Sequence, residues 1–415
     1  MFNFILCFLF AFGTTGCKNN DSNIHSTEKQ IVFAPDTIVL YKTNIITGSE
    51  QLETYLPLLK DKYVSLVVNQ TSVVGNAHLV DTLLKLGVKI NNIFAPEHGF
   101  RGTEDAGATI LNAKDLATGL PVISLYGDKK KPSWQDLADA DIVIFDIQDV
   151  GARFYTYIST LHYVMEACAE NKKQLIILDR PNPNGYYVDG PVLEKEFSSF
   201  IGMDPVPVVH GMTIGEYAQM INGEKWLPNG LQCELAIIPC KNYGHKDYYE
   251  VKIPPSPNLK TMEAIYLYPS LCFFEGTNVS VGRGTSTPFE IFGSPFMKTD
   301  DPDFSFTPIS GPGAKQPPFM NQKCFGKDLR NEHILNLRNY HINLQLILLA
   351  RSYFYENQDK FFLANNFFNK LAGNSELMEQ INAGLNVDEI KLSWQDDLSA
   401  FKQIRKKYLL YPDFE

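Results

Sequence analysis

Five continuous apolar runs alternate, in the first half of the chain, with segments whose apolar residues recur at helical spacing. A short apolar run bounded by turn residues is typical of a strand covered on both faces, whereas a spacing of three or four residues indicates a helix. This alternation predicts an α/β fold with βαβ units and a doubly wound, mostly parallel sheet. The predicted strands are Tyr63–Val68, Val88–Ala95, Pro121–Gly127, Asp141–Asp146 and Gln174–Asp179, and the predicted helices are Val80–Leu86, a Ser133-capped helix through Ala140, and Thr156–Lys172.

The second half of the chain has a different pattern. Pro239–Pro257 is loop-like and rich in proline, so we place a domain boundary there. The resulting domains are residues 45–253 and residues 254–415. Helical spacing predicts one helix over His341–Glu356 and two or three amphipathic helices within Glu376–Tyr411.

Polar side chains directly follow four of the predicted strands. Because the carboxyl ends of parallel strands meet at one edge of a sheet, where ligands of open α/β sheets bind, we expect these side chains to form one cleft. The four groups are Asn69-Gln70-Thr71, Glu97-His98, Asp146 with Gln148 and Asp149, and Asp179-Arg180.

The stretch Ala95–Gly102 concentrates a carboxylate, an imidazole and a guanidinium within five positions. Pro96 ends the preceding apolar run, because proline cannot continue a central strand. Glu97 beside His98 is suited to proton transfer, since the surroundings can tune the pKa of either group. A solvated turn with chance charges is the alternative interpretation of this stretch on its own.

Three further motifs have both a functional and a structural interpretation. Asp146–Tyr157 holds two carboxylates, a guanidinium and two phenols, and either Asp149 or Thr156 could instead cap the following helix. Asp179–Gly185 could place Arg180 and Asn182 rigidly for a ligand, or form a plain turn. In His210–Gly215 the capping-box spacing favours Thr213 as a helix cap, which leaves His210 as a candidate cleft residue. Arg283, between two glycines, is interpreted as an anion or sugar contact.

Composition narrows the class of protein. The chain has 415 residues and a net charge of −10, which argues against a nucleic-acid partner. No C-x-x-C pair is present, and a Cys233–Cys240 disulfide is an open alternative. A metal site of Glu97, His98 and Asp146 is a weaker alternative to a site that needs no cofactor.

The first residues predict export. Residues 1–16 are apolar and small and are typical of a signal peptide, since the run is too short to span a membrane. Gly16-Cys17 resembles a bacterial lipobox, so we expect Cys17 to be lipidated and residues 17–44 to form a tether. The chain would then be a periplasmic or cell-surface lipoprotein that contacts the membrane only through its lipid anchor. Ordinary secretion with cleavage nearby is the alternative.

The motifs together resemble the NamZ-type exo-β-N-acetylmuramidases over nearly the whole chain from about residue 45. The resemblance rests on long motifs in the same order. They are Asn69-Gln70-Thr71, Pro96–Gly102, Asp146–Tyr157, Asp179–Pro183, Pro255–Asn258, Glu275–Thr285 and the tail from Trp394 to Pro412.

The resemblance implies a Rossmann-like first domain, a smaller second domain and a cleft between them. It implies release of N-acetylmuramic acid from the non-reducing end of peptidoglycan fragments without a metal or other cofactor, and it places the family's proposed catalytic glutamate at Glu97.

Glycoside hydrolysis needs an acid for the leaving oxygen and stabilisation of an oxocarbenium-like centre. We expect Glu97 to be the general acid, with His98 tuning or relaying its proton. Asp146 or Asp149 would be base or nucleophile. Alternatively, the substrate's acetamido group attacks while a carboxylate or the Tyr155 or Tyr157 hydroxyl orients it.

Muramic acid carries a lactyl carboxylate, which a guanidinium can bind bidentately. The candidate ligands are Arg101, Arg153 and Arg283, followed by Arg180. Further predicted substrate contacts are Asn69, Gln70, Gln148, Asn182, His210, Asn258 and Glu275. Two other functions remain open at this point: a surface-anchored muropeptide-binding protein, and a metal-dependent peptidoglycan deacetylase or amidase.

Overall fold

The computed structural model describes residues 44–101, 113–298, 304–354 and 358–415. In these residues the strands β1 to β14 are Tyr63–Val68, Val73–Val74, Ala77–His78, Lys89–Ala95, Ala113–Lys114, Pro121–Ser124, Ile142–Asp146, Gln174–Leu178, Asp189–Val192, Pro207–Val209, Leu235–Ile238, Ile291–Ser294, Ser305–Phe306 and Cys324–Asp328. The α-helices α1 to α12 are Leu52–Tyr55, Leu79–Lys85, Trp134–Leu137, Tyr157–Glu170, Ile214–Gly223, Met262–Leu271, Ile334–Asn339, Gln345–Ser352, Phe367–Ala372, Glu376–Ala383, Val387–Ser393 and Gln395–Arg405.

The main sheet contains all five predicted strands. Its order is β11-β8-β7-β1-β4-β6-β5, and all pairs are parallel except β5 with β6. Without the short β5, this is the order of a Rossmann fold, with the reversal of strand order between β1 and β7. The predicted Rossmann-like α/β class is therefore confirmed. The strand β11 was not predicted from the sequence.

Each central strand contributes side chains to two cores. In β1, Val67 packs in one apolar cluster, whereas Val64, Leu66 and Val68 pack in another. The same alternation occurs in β7, because successive side chains of a strand point to opposite faces. The continuous apolar runs of the sequence thus reflect a sheet that is covered on both sides.

The second half contains a small antiparallel sheet, ordered β12-β14-β13, and several helices. Two or three amphipathic helices were predicted within Glu376–Tyr411, and the structure has three α-helices there, α10, α11 and α12. The helix predicted over His341–Glu356 is shorter and spans Gln345–Ser352. The domain boundary at residues 253 and 254 remains a prediction.

The cysteines of the described residues are all buried and free. The alternative of a Cys233–Cys240 disulfide is therefore wrong. Cys240 instead donates a hydrogen bond from Sγ to the carbonyl oxygen of Asp179 at 3.3 Å, while Cys233 interacts with Cys168. Within the ranges given above, no helix is long and apolar enough to span a membrane. Cys17 and the predicted signal peptide lie outside the described residues.

Candidate active site

The turn after β4 presents Glu97 at the carboxyl edge of the sheet. Pro96 follows the last residue of the strand, and His98 and Gly99 then adopt φ angles of 69° and 77°. This left-handed conformation, which is uncommon for residues other than glycine, turns the chain sharply. Glu97 is half-buried and His98 is buried.

A cavity of about 610 Å³ opens beside Glu97. This Glu97 cavity is large enough for a small ligand. Its walls come from the turns after β4, β6 and β7 and from residues of the second half of the chain. The lining residues are Glu97, His98, Tyr126, Phe154, Tyr155, Thr156, Ile201, Ser256, Leu259, Tyr268, Glu275, Arg283, Phe289, Gly313–Pro318 and Phe367.

Two hydroxyl groups hold the carboxylate of Glu97. The hydroxyl of Thr156 donates a hydrogen bond to Oε2 of Glu97 at 2.6 Å, and the phenol of Tyr126 also hydrogen-bonds this carboxylate. Burial and the charge of Glu97 raise the pKa of Tyr126, so this phenol stays protonated and can donate. The carboxylate is thus positioned by neutral donors.

An ion pair forms another part of the wall. Nε of Arg283 lies 2.6 Å from Oε1 of Glu275, and the guanidinium lies 5.1 Å from the ring centre of Phe289. Burial alone would lower the pKa of Arg283, but the Glu275 carboxylate raises it, so the side chain remains a cation. Its buried Nη1 has no hydrogen-bond partner among the described residues.

The predicted catalytic carboxylate Asp146 lies away from this cavity. It is fully buried, with its oxygens 2.5 Å from Nε and 3.0 Å from Nη2 of Arg180. The Asp146 charge raises the pKa of Arg180 against the opposing effect of burial. Asp146 and Arg180 therefore neutralise each other inside the fold and do not line the Glu97 cavity.

The second predicted carboxylate, Asp149, is also buried outside the lining. Its Oδ2 accepts a hydrogen bond from the backbone N–H of Gly151 at 2.6 Å, while Oδ1 has no partner among the described residues. Burial raises the pKa of Asp149 to about 7. This geometry does not support a role for Asp149 as base or nucleophile.

Two of the predicted arginine ligands have other partners. The guanidinium of Arg153 is fully buried and donates to four backbone carbonyls of separate segments, and burial lowers its pKa to about 9. Arg101 is exposed, pairs with Asp115 at 2.8 Å and lies over the ring of Phe100. Of the predicted arginines, only Arg283 is part of the described cavity lining.

The predicted amide ligands bind the protein's own backbone. They are Asn69, Gln70, Gln148, Asn182 and Asn258. Two of them shape the cavity indirectly. Asn258 donates to the carbonyl oxygen of Gly313 at 2.8 Å, and Gln70 donates to the carbonyl oxygens of Pro254 and Pro255.

Of the predicted contacts Tyr155, Tyr157 and His210, only Tyr155 lines the Glu97 cavity. Tyr157 donates its hydroxyl to the carbonyl oxygen of Pro255 at 3.0 Å. His210 is buried, and burial lowers its pKa to about 3, so it is a neutral core residue. The predicted cap is confirmed, because Thr213 accepts a hydrogen bond from the N–H of Glu216.

Several residues that line the cavity were not predicted from the sequence. Tyr126 lies near the end of the predicted strand Pro121–Gly127, and in the structure it follows the shorter strand β6, Pro121–Ser124, so its place at the carboxyl edge of the sheet was a usable signal. Thr156 was considered only as a helix cap. Gly313–Pro318 carries no pattern that would place it at a site. Across the described residues, no cluster of three or more His, Cys, Asp or Glu side chains is arranged to hold a metal ion.

The chain matches the models of one protein family over most of its length. Residues 64–263 match the family model described as exo-beta-N-acetylmuramidase NamZ, N-terminal, and residues 266–411 match its C-terminal counterpart. The peptidoglycan beta-N-acetylmuramidase NamZ of Bacillus subtilis (strain 168) is 38% identical over 389 residues, which cover 89% of this chain and 92% of that protein.

Two crystal structures of DUF1343 family proteins from Bacteroides fragilis NCTC 9343 are similar to this chain. One is 47% identical with a TM-score of 0.83, and the match covers 89% of this chain and 99% of that chain. The other is 29% identical with a TM-score of 0.77, and covers 88% and 99%.

Proposed function

The chain belongs to the NamZ family of exo-β-N-acetylmuramidases, and from this premise we propose how its described residues carry out the hydrolysis. It is a glycosidase that acts on peptidoglycan-derived saccharides and releases N-acetylmuramic acid from their non-reducing ends. We assign the general acid to Glu97. This carboxylate lines the cavity, whereas Asp146 and Asp149 are buried elsewhere.

The acid must give its proton to the glycosidic oxygen as the bond to the sugar breaks. Glu97 is held for this step by the hydroxyls of Thr156 and Tyr126. We assign the relay of this proton to His98, the next residue along the chain, which also lines the cavity. Glu275 is the other carboxylate among the described lining residues. It, or the substrate's own acetamido oxygen, therefore stabilises the anomeric centre.

Replacement of the acid tests this assignment. Glu97→Gln keeps the size and a hydrogen-bonding oxygen but carries no titratable proton, so kcat on a MurNAc–GlcNAc disaccharide should fall by about 10²–10⁴-fold while substrate binding persists. Mass spectrometry of released N-acetylmuramic acid measures turnover, and titration calorimetry measures binding. The exposed Glu379→Gln is the matched control. Normal turnover by Glu97→Gln would exclude the acid role.

Arg283 is the proposed ligand of the lactyl carboxylate. Its Nε is engaged by Glu275, and its buried Nη1 is free of partners in the described residues. A charged hydrogen bond contributes about 1.5–3 kcal/mol, so Arg283→Lys should lower kcat/KM for a MurNAc glycoside by about 10- to 100-fold. A GlcNAc glycoside, which lacks the lactyl group, should lose no comparable factor. Equal losses on both substrates would contradict this assignment.

We also propose that the protein is exported and anchored by a lipid on Cys17. The apolar residues 1–16 and the Gly16-Cys17 pair support this proposal, and peptidoglycan lies outside the cytoplasm. In cells fed a clickable palmitate analogue, the wild-type chain should carry label and fractionate with membranes, whereas Cys17→Ser should do neither. An unlabelled wild-type chain in the soluble fraction would indicate ordinary secretion.

A further inference from the structure

A second cavity, of about 340 Å³, lies at the same edge of the main sheet. Its lining includes Thr71, Gln148 and Arg180, which follow β1, β7 and β8, and none of its residues lines the Glu97 cavity. The reversal of strand order between β1 and β7 is therefore beside this second cavity. In open α/β sheets, that crevice is the usual ligand site.

Arg180 supplies a fixed donor to the second cavity. Its Nε and Nη2 are held by Asp146, and Nη2 also donates to Oγ of Ser49 and to the carbonyl oxygen of Val73. Its Nη1 makes no hydrogen bond within the described residues, and the side chain is only 5% exposed. Because the protein already holds this guanidinium in place through Nε and Nη2, Nη1 can donate to a ligand at little entropic cost.

The charges around the second cavity do not favour an anion. Asp146 neutralises Arg180, and Lys252 is outnumbered by Glu50 and Glu250 in the lining. Tyr248 and Tyr249 add aromatic surface, and burial raises the pKa of both phenols, so they remain neutral donors. Aromatic walls with a few fixed polar groups suit an uncharged, polyhydroxylated ring.

A fixed segment separates the two cavities. The second cavity is lined up to Ile253, and the Glu97 cavity is lined from Ser256 onward. Between them, the carbonyl oxygen of Pro254 accepts from Gln70, and that of Pro255 accepts from Gln70 and from the hydroxyl of Tyr157. No described residue lines both cavities, so a ring bound in the second cavity contacts a different set of residues from the sugar that is cleaved.

We propose that the second cavity is a saccharide site that binds one neutral sugar ring independently of hydrolysis. Its volume is at the low end of small-molecule sites and fits a single ring. The choice of an acetamido sugar as the probe rests on the proposed function, whereas the existence of the site rests on its own geometry.

The test is a titration of the full mature chain with N-acetylglucosamine, followed by saturation-transfer NMR or calorimetry. Tyr249→Ala should weaken binding at least tenfold, and Tyr249→Phe should weaken it less because the ring remains. The matched control is Tyr63→Ala, which removes an exposed tyrosine at the opposite end of β1. All three variants should keep the wild-type kcat/KM on a short MurNAc glycoside, which also reports that they are folded.

The outcomes separate this inference from the proposed function. Equal affinity of Tyr249→Ala and wild type would overturn the inference. Loss of N-acetylglucosamine binding in Tyr155→Ala alone would also overturn it, because the sugar would then occupy the Glu97 cavity that Tyr155 lines. Binding that depends on Tyr249 in a chain that does not cleave MurNAc glycosides would support the second site and contradict the hydrolase. N-acetylmuramic acid binding through Tyr249, without N-acetylglucosamine binding, would overturn the neutral-ligand class.

Discussion

The polar residues considered for the site fall into two groups: some line the Glu97 cavity, and others are buried and bonded within the protein. Glu97, His98, Tyr155, Glu275 and Arg283 face the Glu97 cavity. Asp146, Asp149 and Arg153 were equally plausible by residue type, but all three are buried. A buried charge is costly unless it is paired or neutralised, so burial itself decides which acids remain available for chemistry.

Asp149 illustrates this cost and provides a pH-dependent prediction. Burial raises its pKa to about 7 from an ordinary value of 3.8. Between these values the unfolded chain releases the proton while the folded chain keeps it, so folding stability falls as the pH rises from about 4 to about 7. Below this window Asp149 contributes no pH dependence, and above it the full cost is present.

Asp149→Asn should remove this cost, because the amide resembles the protonated acid. Unfolding by urea at pH 7.5 should show a gain of up to roughly 4 kcal/mol over wild type, by the linkage of three pKa units, and little gain at pH 4. Asp139→Asn, at an exposed position, is the control. A gain that is the same at both pH values would contradict the titration of Asp149.

At the scale of elements, two threonines at helix N-termini have different tasks. Thr213 caps α5: its hydroxyl accepts from the N–H of Glu216 and donates to Oδ2 of Asp179 at 2.7 Å. Thr156 precedes α4 but makes no side-chain capping bond, and its hydroxyl donates to Glu97 instead. The same residue type at the same helix position is therefore structural in one case and part of the site in the other.

The two threonines should respond to substitution in opposite ways. Thr213→Ala should lower the free energy of unfolding by about 1–2 kcal/mol and leave kcat/KM unchanged, since the loss of an N-cap costs about that much. Thr156→Val should leave stability nearly unchanged and lower kcat by about 10- to 100-fold, because the hydrogen bond that positions the Glu97 carboxyl group is lost. Urea unfolding and steady-state kinetics on both variants test this. A loss of activity in Thr213→Ala or of stability in Thr156→Val would count against it.

At the level of the whole molecule, Arg153 connects segments that are far apart in the sequence. Its Nη1 donates to the carbonyl oxygens of Pro191 and Val206, and its Nη2 donates to those of Leu371 and Ala372, at 2.7–2.9 Å. Gly373, which ends α9, lies so close that a Cβ atom there would be 2.6 Å from Nη2 of Arg153. The motif residue predicted to bind substrate therefore joins the two halves of the chain.

Substitution of two glycines tests how much these hydrogen bonds of Arg153 contribute to stability. Gly373 and Gly384 end successive helices with φ angles of 86° and 78°, and a Cβ atom at Gly384 would meet no atom within 4 Å. Alanine at either position incurs a similar backbone strain of about 1–2 kcal/mol, but only Gly373→Ala also displaces Arg153. Calorimetric melting should therefore show a clearly larger loss for Gly373→Ala than for Gly384→Ala. Equal losses would indicate that Arg153 can move without cost.

The sequence pattern was sufficient to predict five of the seven strands of the main sheet, their order along the chain and the family. Apolar runs and helical spacing are local properties, and the long motifs keep their order along the chain, so the five strands and Glu97 could be identified without coordinates. Which polar residues share a cavity could not be. Strands β4 and β8 are three strand spacings apart, about 14 Å at about 4.8 Å each, so Glu97 and Arg180 follow strands at the same edge yet line different cavities. The grouping of these residues into cavities follows from the folded chain alone, because the burial and the nearest partner of each side chain depend on segments that are far away in the sequence.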